Sequence, residues 1–487
     1  MLEPETIHTF TLWSLIAVIV QFSIVLGVTL RVMLTRHPPG AAFAWILITA
    51  VIPYVGFVLY LMIGERPLGR HREKLYRKLH LKEHFSGHIG AARLPEHLDE
   101  HKGLFRLATR VSRFPLTEGS SITLISETHD IFSAMLRDIR SAAASIDLEF
   151  YILWDEGDVR VITDALAEAC ARGVRVRLLL DDFGSHTFLK SERRKELERA
   201  GLEIVPAMPM QLLGMLGLQR ADLRLHRKSL IVDERIAYTG SCNLIDPDAY
   251  PDAKIVGKWI DAMVRLEGPV VSSMQLVFTT DWCLQPSQQQ SKLPSLDLKE
   301  QPRTGEATSV LVPSGPYSVH DPNLYLLLEA IGQARHSLTI TTPYFVPNET
   351  LMTALQTAAF RGVRIQLIIP ERGNNAPVTW AGRRHFEALL DAGVNIWLYH
   401  GGLLHTKSIE IDGKIALFGT VNLDNRSLHL NFETTLLAYD TAFLSALQAL
   451  HNTYISASTR VQICDWKARP LKHRLKEGLG YLISPLL

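Results

Sequence analysis

The sequence predicts an α/β protein in which two duplicated α/β/α halves follow a two-helix transmembrane hairpin. Two long segments near the start of the chain contain no charged residue, which is typical of membrane-spanning helices. The rest of the chain repeats one alternation of strands and helices, which is typical of layered α/β domains. One polar motif also occurs in each repeat, at a constant offset. We expect the two halves to pack about a pseudo-twofold axis, as identical units commonly do.

The overall charge of the chain is close to zero. Its 487 residues include 51 Lys and Arg against 50 Asp and Glu, a formal net charge of +1. This balance argues against a basic nucleic-acid coat and against an acidic disordered chain, and we expect no nucleic-acid partner. The four cysteines, Cys170, Cys242, Cys283 and Cys464, lie far apart without a CxxC pair. A disulfide framework or a structural zinc site is therefore not expected.

The first domain, residues 1–64, is predicted to anchor the chain in a membrane. Residues 7–30 and 40–64 contain no Asp, Glu, Lys or Arg, and each is longer than the ~20 residues that cross a bilayer as a helix. A buried helical hairpin and a signal peptide are the alternatives. The acidic start, with Glu3 and Glu5, differs from the basic start of a signal peptide. We interpret the two segments as transmembrane helices.

A cluster of basic residues follows the second segment, in a juxtamembrane domain at 65–118. The loop between the two segments carries only Arg31 and Arg36. Because the richer basic flank stays on the cytoplasmic side, the rest of the chain is predicted to be cytoplasmic. The same cluster would also meet anionic lipid headgroups. It consists of Arg66, Arg70, Arg72, Lys74, Arg77, Lys78 and Lys82.

The remaining chain contains two similar copies of one pattern. Residues 171–176 (ARGVRV) match 360–365 (FRGVRI), and 200–204 (AGLEI) match 392–396 (AGVNI). Each copy reads as strands alternating with helices, as in an α/β domain. A stretch rich in Gln, Ser, Pro and Lys lies between the copies and is predicted to be a linker. The predicted domains are a first half at 119–284, the linker at 285–306, a second half at 307–460 and a tail at 461–487.

Two apolar segments allow two interpretations each. Residues 208–218 (MPMQLLGMLGL) are either a buried connection or a loop that dips into the membrane as a lid over the site. The tail at 461–487 mixes basic residues with leucines, so it either lies on a membrane surface or docks on the domain.

The motif that carries the chemistry is HxKxxxxD followed by a small residue, one further residue and Asn. The same offset separates each member in the first half from its counterpart in the second half, and chance does not account for such a repeat. The first copy consists of His226, Lys228, Asp233, Ser241 and Asn243, and the second of His405, Lys407, Asp412, Thr420 and Asn422.

The spacing predicts the local geometry of the motif. His and Lys two residues apart on a strand point to the same face. Asp233 and Asp412 are predicted to begin two-residue hairpin turns, which would place Ser241 opposite His226 and Thr420 opposite His405. Each Asp is then either a turn residue or a direct participant in catalysis.

These residue types are suited to a reaction in which the phosphorus atom of a phosphodiester is attacked and an alkoxide leaves. Lysine and asparagine groups can hold the non-bridging oxygens of the phosphate. One neutral histidine can attack phosphorus while the other, protonated, donates to the leaving alkoxide. The sequence lacks the clustered carboxylates of a two-metal site, so we expect neither a metal nor a cofactor.

The duplicated HxKxxxxD motif resembles the signature of the phospholipase D superfamily. Segments 342–347 (TPYFVP), 401–407 (GGLLHTK) and 419–424 (GTVNLD) are similar to those of the bacterial cardiolipin synthases. This resemblance implies an inner-membrane enzyme that transfers a phosphatidyl group between two phosphatidylglycerol molecules through a phosphohistidine. It also implies a carboxylate after each motif that orients a histidine, and the matching positions are Glu267 and Glu433.

Three other functions fit the same motif. A hydrolytic phospholipase D and a transphosphatidylase with a different alcohol acceptor would use the same residues. An inactive membrane scaffold is the alternative from another class, and the intact His-Lys pairs argue against it. The sequence leaves the acceptor alcohol and the oligomeric state open.

Overall fold

The computed structural model describes residues 4–35, 39–64, 76, 94–209, 222–285, 300–318 and 320–484. Most of the candidate lid at 208–218 and most of the predicted linker at 285–306 lie outside these residues. The chain divides into two compact units. One comprises Met1–Lys74 with Met210–Leu223, and the other comprises Leu75–Pro209 with Arg224–Leu487.

The first unit begins with a long apolar helix. Helix α1 (Pro4–Leu34) includes 22 residues, Trp13–Leu34, with a mean hydropathy of 2.3. By length and composition this stretch is sufficient to cross a bilayer. The structure therefore agrees with a transmembrane segment at the start of the chain.

The second apolar segment is not the single continuous helix that the sequence predicted. Helix α2 (Pro39–Val51) stops before Pro53, and α3 (Pro53–Leu59) continues into a π-helical turn at Tyr60–Gly64. Proline lacks the N–H that would continue the helical ladder, which explains the break. A Cβ on Gly56 would lie 2.7 Å from the Cα of Thr49, so the close approach of α3 to α2 requires glycine.

The second unit contains helices and strands in the predicted alternation. Its helices are α4 (Lys102–Ser112), α5 (Thr128–Ser141), α6 (Asp158–Ala171), α7 (His186–Leu189), α8 (Glu192–Arg199), α9 (Ala253–Val256), α10 (Val270–Cys283), α11 (Pro322–Gln333), α12 (Glu349–Phe360), α13 (Ala376–Arg383), α14 (Phe386–Asp391), α15 (Asn425–His429), α16 (Thr441–Ser456), α17 (Ile463–Lys467) and α18 (Leu471–Ile483). A 3₁₀ helix at Glu96–His101 precedes α4.

The strands of this unit alternate with those helices along the chain. They are β1 (Leu116–Ile125), β2 (Ser145–Phe150), β3 (Arg175–Asp181), β4 (Glu203–Ala207), β5 (Ser229–Val232), β6 (Ile236–Gly240), β7 (Trp259–Ile260), β8 (Met263–Glu267), β9 (Ala307–Ser314), β10 (Ser337–Thr341), β11 (Phe345–Val346), β12 (Arg364–Pro370), β13 (Asn395–Tyr399), β14 (Leu403–Leu404), β15 (Ser408–Ile411), β16 (Ile415–Gly419), β17 (Leu423–Asp424), β18 (Glu433–Tyr439) and β19 (Ser458–Arg460).

A single 15-stranded sheet runs through both halves. Its order is β19-β13-β12-β10-β15-β16-β18-β9-β1-β8-β6-β5-β2-β3-β4. Strands β2, β3 and β4 are parallel in the first half, and β10, β12 and β13 match them in the second. The two halves join where β1 pairs antiparallel with β9, and the order is equivalent in both directions from this pair except for the additional edge strand β19 of the second half. The duplication of the sequence is therefore a duplication of topology.

Each half has its own hydrophobic core. One core gathers buried side chains of the first half, such as Ile146 and Leu178, and the other those of the second half, such as Ile340 and Leu367. The segment before β1 belongs to the second core, since Leu104 of α4 is fully buried there. The predicted juxtamembrane domain at 65–118 therefore contains, from residue 94 onward, part of the second half's core.

The hairpins whose turns begin at the motif aspartates have the predicted turn residues, but their strands pair in a different register from the one predicted. Asp233 and Asp412 have positive φ angles of 51° and 53°. However, Val232 pairs with Ile236 and not with Arg235, so each hairpin contains one extra residue after the turn. This bulge shifts the pairing by one position, and in a strand such a shift moves side chains to the other face. The predicted placement of Ser241 opposite His226 and Thr420 opposite His405 is therefore wrong.

The two motif aspartates hold backbone together at the start of a neighbouring strand. The carboxylate of Asp233 accepts hydrogen bonds of 2.7–2.8 Å from the N–H groups of Ala143, Ala144 and Ser145. In the second half, Asp412 accepts equivalent bonds from Arg335, His336 and Ser337. All the acceptor atoms of the two carboxylates are engaged by backbone N–H groups. Of the two roles that the sequence allowed, the structure supports the turn residue and not the catalytic one.

We expect that replacing Asp412 with Ala destabilises the protein without acting on the chemistry directly. Three backbone N–H groups lose a charged acceptor, and for a half-buried carboxylate this should cost about 2 kcal/mol in free energy of unfolding. Partial burial raises the pKa of Asp412, but the three N–H groups outweigh it and leave the pKa below its usual value. The stabilisation should be complete above about pH 4 and be lost as the pH falls through the lowered pKa.

Thermal or chemical unfolding of the detergent-solubilised protein measures this loss. Asp248→Ala is the matched control, because the exposed carboxylate of Asp248 pairs only with the exposed Lys258 among the residues that the structure describes, and its backbone N–H, which donates to Asp246, is retained in the variant. The control should change the free energy of unfolding by about 0.5 kcal/mol or less. Equal stability of the two variants would contradict the anchoring role of Asp412.

Candidate active site

The two histidine loops lie just before β5 and β15, and each is fixed by backbone bonds to the opposite half. The N–H of His226 donates to the carbonyl of Phe432 at 3.0 Å, and the N–H of His405 donates to the carbonyl of Ile260 at 2.8 Å. In addition, β14 pairs with β7 across the halves. The segment that follows each acceptor therefore lies beside a histidine of the other half.

His226 is oriented by Glu433 of the second half. The Nδ1 of His226 lies 2.8 Å from Oε1 of Glu433, which is fully buried. A carboxylate only accepts hydrogen bonds, so Nδ1 carries the proton and Nε2 is the basic nitrogen of the neutral ring. Thr420 and Ser427 donate to the same carboxylate at 2.5 and 2.8 Å. Glu433, the position to which the resemblance assigned an orienting carboxylate, therefore lies in contact with His226.

His405 is oriented by Asp261 of the first half. The Nδ1 of His405 lies 2.7 Å from Oδ1 of Asp261, and the hydroxyl of Ser241 donates to the same oxygen at 2.5 Å. All three side chains are buried. The arrangement repeats that of His226, Glu433 and Thr420 with the halves exchanged. Each histidine therefore depends on a carboxylate and a hydroxyl from the opposite half.

Glu267 does not orient a histidine, and its assignment from the sequence is wrong. Its carboxylate forms an ion pair with Arg265 on the same strand. The chain from Ser241 to Asp261 is longer by 20 − 13 = 7 residues than the chain from Thr420 to Glu433. The constant offset of the motif therefore fails at this position. Asp261 could have been identified from the sequence because it is the one acidic residue in the otherwise apolar segment Trp259–Met263.

The two motif lysines are buried in the same environment. Lys228 donates to the carbonyl of His226 at 2.7 Å, and Lys407 donates to that of His405 at 2.5 Å. Burial lowers the pKa of Lys228 to about 8, although Glu433 and Asp261 oppose the shift. Burial also lowers the pKa of Lys407 well below its usual value. Burial therefore outweighs the two nearby carboxylates and disfavours the positive charge of both lysines.

Burial keeps the pKa of both imidazoles below its usual value. Burial lowers the pKa of His226 to about 4, with Glu433 acting in the opposite direction and Lys228 and Lys407 lowering it further. Burial and Lys407 lower the pKa of His405 to about 3, against the effect of Asp261. Each histidine thus senses the lysines of both halves, so the four side chains form one electrostatic site.

Aromatic side chains cover the histidines. The ring of Tyr151 meets that of His226 edge-on at 5.1 Å, and the ring of Trp259 lies 4.5 Å from that of His405. The ammonium of Lys228 lies 5.6 Å from the centre of the Tyr151 ring. The walls beside both imidazoles are therefore apolar, which strengthens charge interactions inside the site.

The two asparagines of the motif differ in their surroundings. The amide oxygen of Asn243 accepts the N–H of Ile152 at 3.2 Å and so fixes the loop that carries Tyr151. The amide oxygen of Asn422 is buried, and within the described part of the chain it has no hydrogen-bond partner. The amide oxygen of Asn422 is therefore an unused acceptor, whereas that of Asn243 holds the backbone of a neighbouring loop.

Arg227, between the two residues of the first His-Lys pair, is a buried residue that sequence reasoning missed. Its guanidinium forms an ion pair with Asp281 on α10 and donates to the carbonyls of Glu433 and Ser314 at 3.1 and 2.9 Å. It also donates to the hydroxyl of Tyr317 at 2.7 Å. Arg227 thereby fixes the backbone of the carboxylate that holds His226. Its position inside the motif was the available signal.

Comparison with known proteins is consistent with this site. The family model described as "Cardiolipin synthase, PLD-like domain" matches residues 135–255 and 327–454, and "Phospholipase_D-nuclease N-terminal" matches residues 10–65. Cardiolipin synthase A of Salmonella arizonae is 38% identical over 98% of this chain and 99% of its own length. Cardiolipin synthase A of Salmonella paratyphi B gives the same figures.

The fold is also similar to a solved structure. The crystal structure of phosphatidylserine synthase from Haemophilus influenzae Rd KW20 has a TM-score of 0.60 and 15% sequence identity, covering 79% of this chain and 97% of that one. This likeness concerns the fold alone. Together with the near full-length identity to the curated relatives, the duplicated motif and its reciprocal carboxylates lead to one conclusion: the chain belongs to the bacterial cardiolipin synthases of the phospholipase D superfamily.

Proposed function

We propose that the protein transfers a phosphatidyl group from one phosphatidylglycerol to the free hydroxyl of another, giving cardiolipin and glycerol. In the first step Nε2 of His226 attacks phosphorus, the bond from phosphorus to the glycerol oxygen breaks, and His405 donates its proton to that oxygen. In the second step His405 takes the proton of the incoming hydroxyl, which attacks phosphorus and displaces His226. The diester is regenerated, so no nucleotide is consumed.

The reciprocal pairing of each histidine with a carboxylate of the other half carries this proposal. It fixes both rings with Nδ1 protonated, which leaves Nε2 available for attack in one ring and for proton transfer in the other. A buried carboxylate also stabilises the imidazolium that forms after proton transfer. A single half would contain a histidine without its orienting carboxylate, so both halves are required.

Buried positive charge supplies the binding of the phosphate. Lys228 and Lys407 have lowered pKa values because burial disfavours their charge, and a phosphodiester anion would restore it. The same anion would raise the pKa of His405, which can then carry the proton for the leaving glycerol. We assign Asn422 to the substrate, since its buried amide oxygen can accept a hydroxyl. Ser241 and Thr420 act instead by holding the carboxylates.

The same proposal extends to the placement of the enzyme. We infer that residues 1–64 hold it in the bacterial inner membrane with more than one crossing, that the second unit lies on the cytoplasmic side, and that its two halves are related by a pseudo-twofold axis. The basic cluster after residue 65 supports this orientation. The apolar segment at 208–218 remains a candidate lid that keeps water from the phosphohistidine.

Replacing His226 or His405 with Asn should each reduce turnover by roughly 10³-fold or more, because nucleophile and acid act as a unit. His400→Asn is the control, since His400 is half-exposed and pairs with Glu371 at 3.2 Å. Brief reaction with phosphate-labelled phosphatidylglycerol, followed by peptide mapping, should place the label on His226. Label on His405 would reverse the two roles, and phosphatidic acid as the main product would indicate a hydrolase.

Replacing Asp261 with Asn or Glu433 with Gln should lower kcat by roughly 10²- to 10⁴-fold, as expected when a catalytic histidine loses its orienting carboxylate. Glu267→Gln should leave kcat nearly unchanged, because a partly exposed ion pair contributes little. In Glu433→Gln the pKa of His226 should fall further, so the acid limb of any residual activity should move to lower pH. Loss of activity in Glu267→Gln with retention in Asp261→Asn would contradict the assignment.

Activity should be bell-shaped in pH and should not require a divalent metal. His226 stays neutral until the pH falls toward its lowered pKa of about 4, so attack should persist well below pH 6.5. On the alkaline side Lys228 loses its charge near its pKa of about 8, and binding of the phosphate should weaken. The limbs report macroscopic values of a coupled site. Activity that does not change with pH, or inactivation by EDTA that added metal reverses, would contradict the proposal that the lysines bind the phosphate without a metal.

A further inference from the structure

The helix near the C-terminus, α18 (Leu471–Ile483), presents a row of leucines to solvent. Leu471, Leu475, Leu479 and Leu482 are 67%, 66%, 57% and 76% exposed. Their spacing of three and four residues places them on one face of the helix. Leucines at this density on one exposed helix face are unusual in a soluble domain and mark an interaction surface.

The opposite face of α18 is fixed to the domain. Glu477 is buried and accepts hydrogen bonds of 2.9–3.1 Å from Arg469, which also donates to Glu387 of α14 at 3.1 Å and so links the helix to the domain. Gly480 lies so close to α13 that a Cβ there would be 2.7 Å from the backbone nitrogen of Ala381. Because this face is already packed, α18 cannot rotate to bury its leucines. The docking of the tail on the domain, one of the two alternatives from the sequence, therefore leaves an apolar row uncovered.

The side chains beside the leucine row are basic. Lys472, Arg474 and Lys476 are exposed, and the acidic residue of the helix, Glu477, faces the domain. The ammonium of Lys476 lies 5.6 Å from the centre of the Trp380 ring on α13. The exposed surface of α18 thus combines apolar and cationic groups without an acidic one.

We propose that the leucine face of α18 lies in the interface of an anionic phospholipid bilayer. The leucines would enter the acyl region and the basic side chains would meet lipid phosphates, as in interfacial amphipathic helices. The basic side chains of α18 favour an anionic bilayer over a second copy of the chain as the partner. A symmetric contact between two copies would bring the same basic side chains face to face, which is repulsive. The contact is independent of the reaction, because it requires a bilayer and not turnover.

Lipid exposure of single positions in the full-length protein tests this contact. In a Cys464→Ser background, Leu479→Cys is labelled with an environment-sensitive fluorophore and reconstituted in bilayer discs that contain phosphatidylglycerol. Phe360→Cys on α12 is the matched control, since Phe360 is an apolar residue that is 72% exposed. Lipids that carry a quencher in their acyl chains should quench the label at position 479 several-fold more than the label at position 360. Protein without an introduced cysteine gives the background from Cys170.

Two further comparisons test the role of charge and the independence of this contact from the reaction. Lys472→Glu with Lys476→Glu should reduce quenching at position 479, and so should discs of neutral lipid. Quenching should be unchanged in His226→Asn, so failure of the proposed reaction would leave this result intact. Equal quenching at positions 479 and 360 would overturn the proposal. Cross-linking between copies of the Leu479→Cys variant through the introduced thiol, without lipid quenching, would overturn it in favour of a dimer contact.

Discussion

Each catalytic histidine is held by a carboxylate from the opposite half, and most of the site depends on this exchange. His226 is bound by Glu433 and His405 by Asp261, at 2.8 and 2.7 Å. The backbone just before each carboxylate also accepts the N–H of the same histidine. Movement of one half relative to the other would therefore disturb both rings at once. The central pair of β1 and β9 and the short sheet of β7 and β14 resist such movement.

Burial makes these interactions strong and also costly. Two carboxylates, two lysines and two imidazoles occupy a site with little exposure. A buried charge is tolerated only when it is paired or hydrogen-bonded, and here each carboxylate is bonded by a histidine and a hydroxyl. The lysines are less well compensated, as their lowered pKa values indicate. A site of this kind is adapted to receive an anion, which supports a phosphodiester substrate.

The two halves share a topology but differ around their histidines. Beside His226 the motif contains Arg227, which pairs with Asp281. The equivalent residue beside His405 is Thr406, whose hydroxyl bonds to that of Tyr454 at 2.9 Å. The orienting carboxylates differ as well, one being Glu and the other Asp. These differences remove the equivalence of the two imidazoles, which is what a division into nucleophile and acid requires.

The sequence by itself determined the α/β class, the duplication and the two His-Lys pairs, because these depend on local periodicity and on a repeat at constant offset, whereas Glu433 followed from the resemblance to a known family. The sequence did not determine Asp261, because an insertion breaks the constant offset between the two halves at that position. The exchange of carboxylates between the halves was not predictable either, because contacts between the halves leave no local pattern in the sequence. The bulge in each hairpin and the bend at Pro53 could not be predicted from the sequence either. One extra residue or one missing N–H changes the strand pairing or the helix direction without changing the hydrophobic pattern. Only the tertiary structure turned the motif aspartates into backbone anchors, because their partners lie on strands distant in the chain.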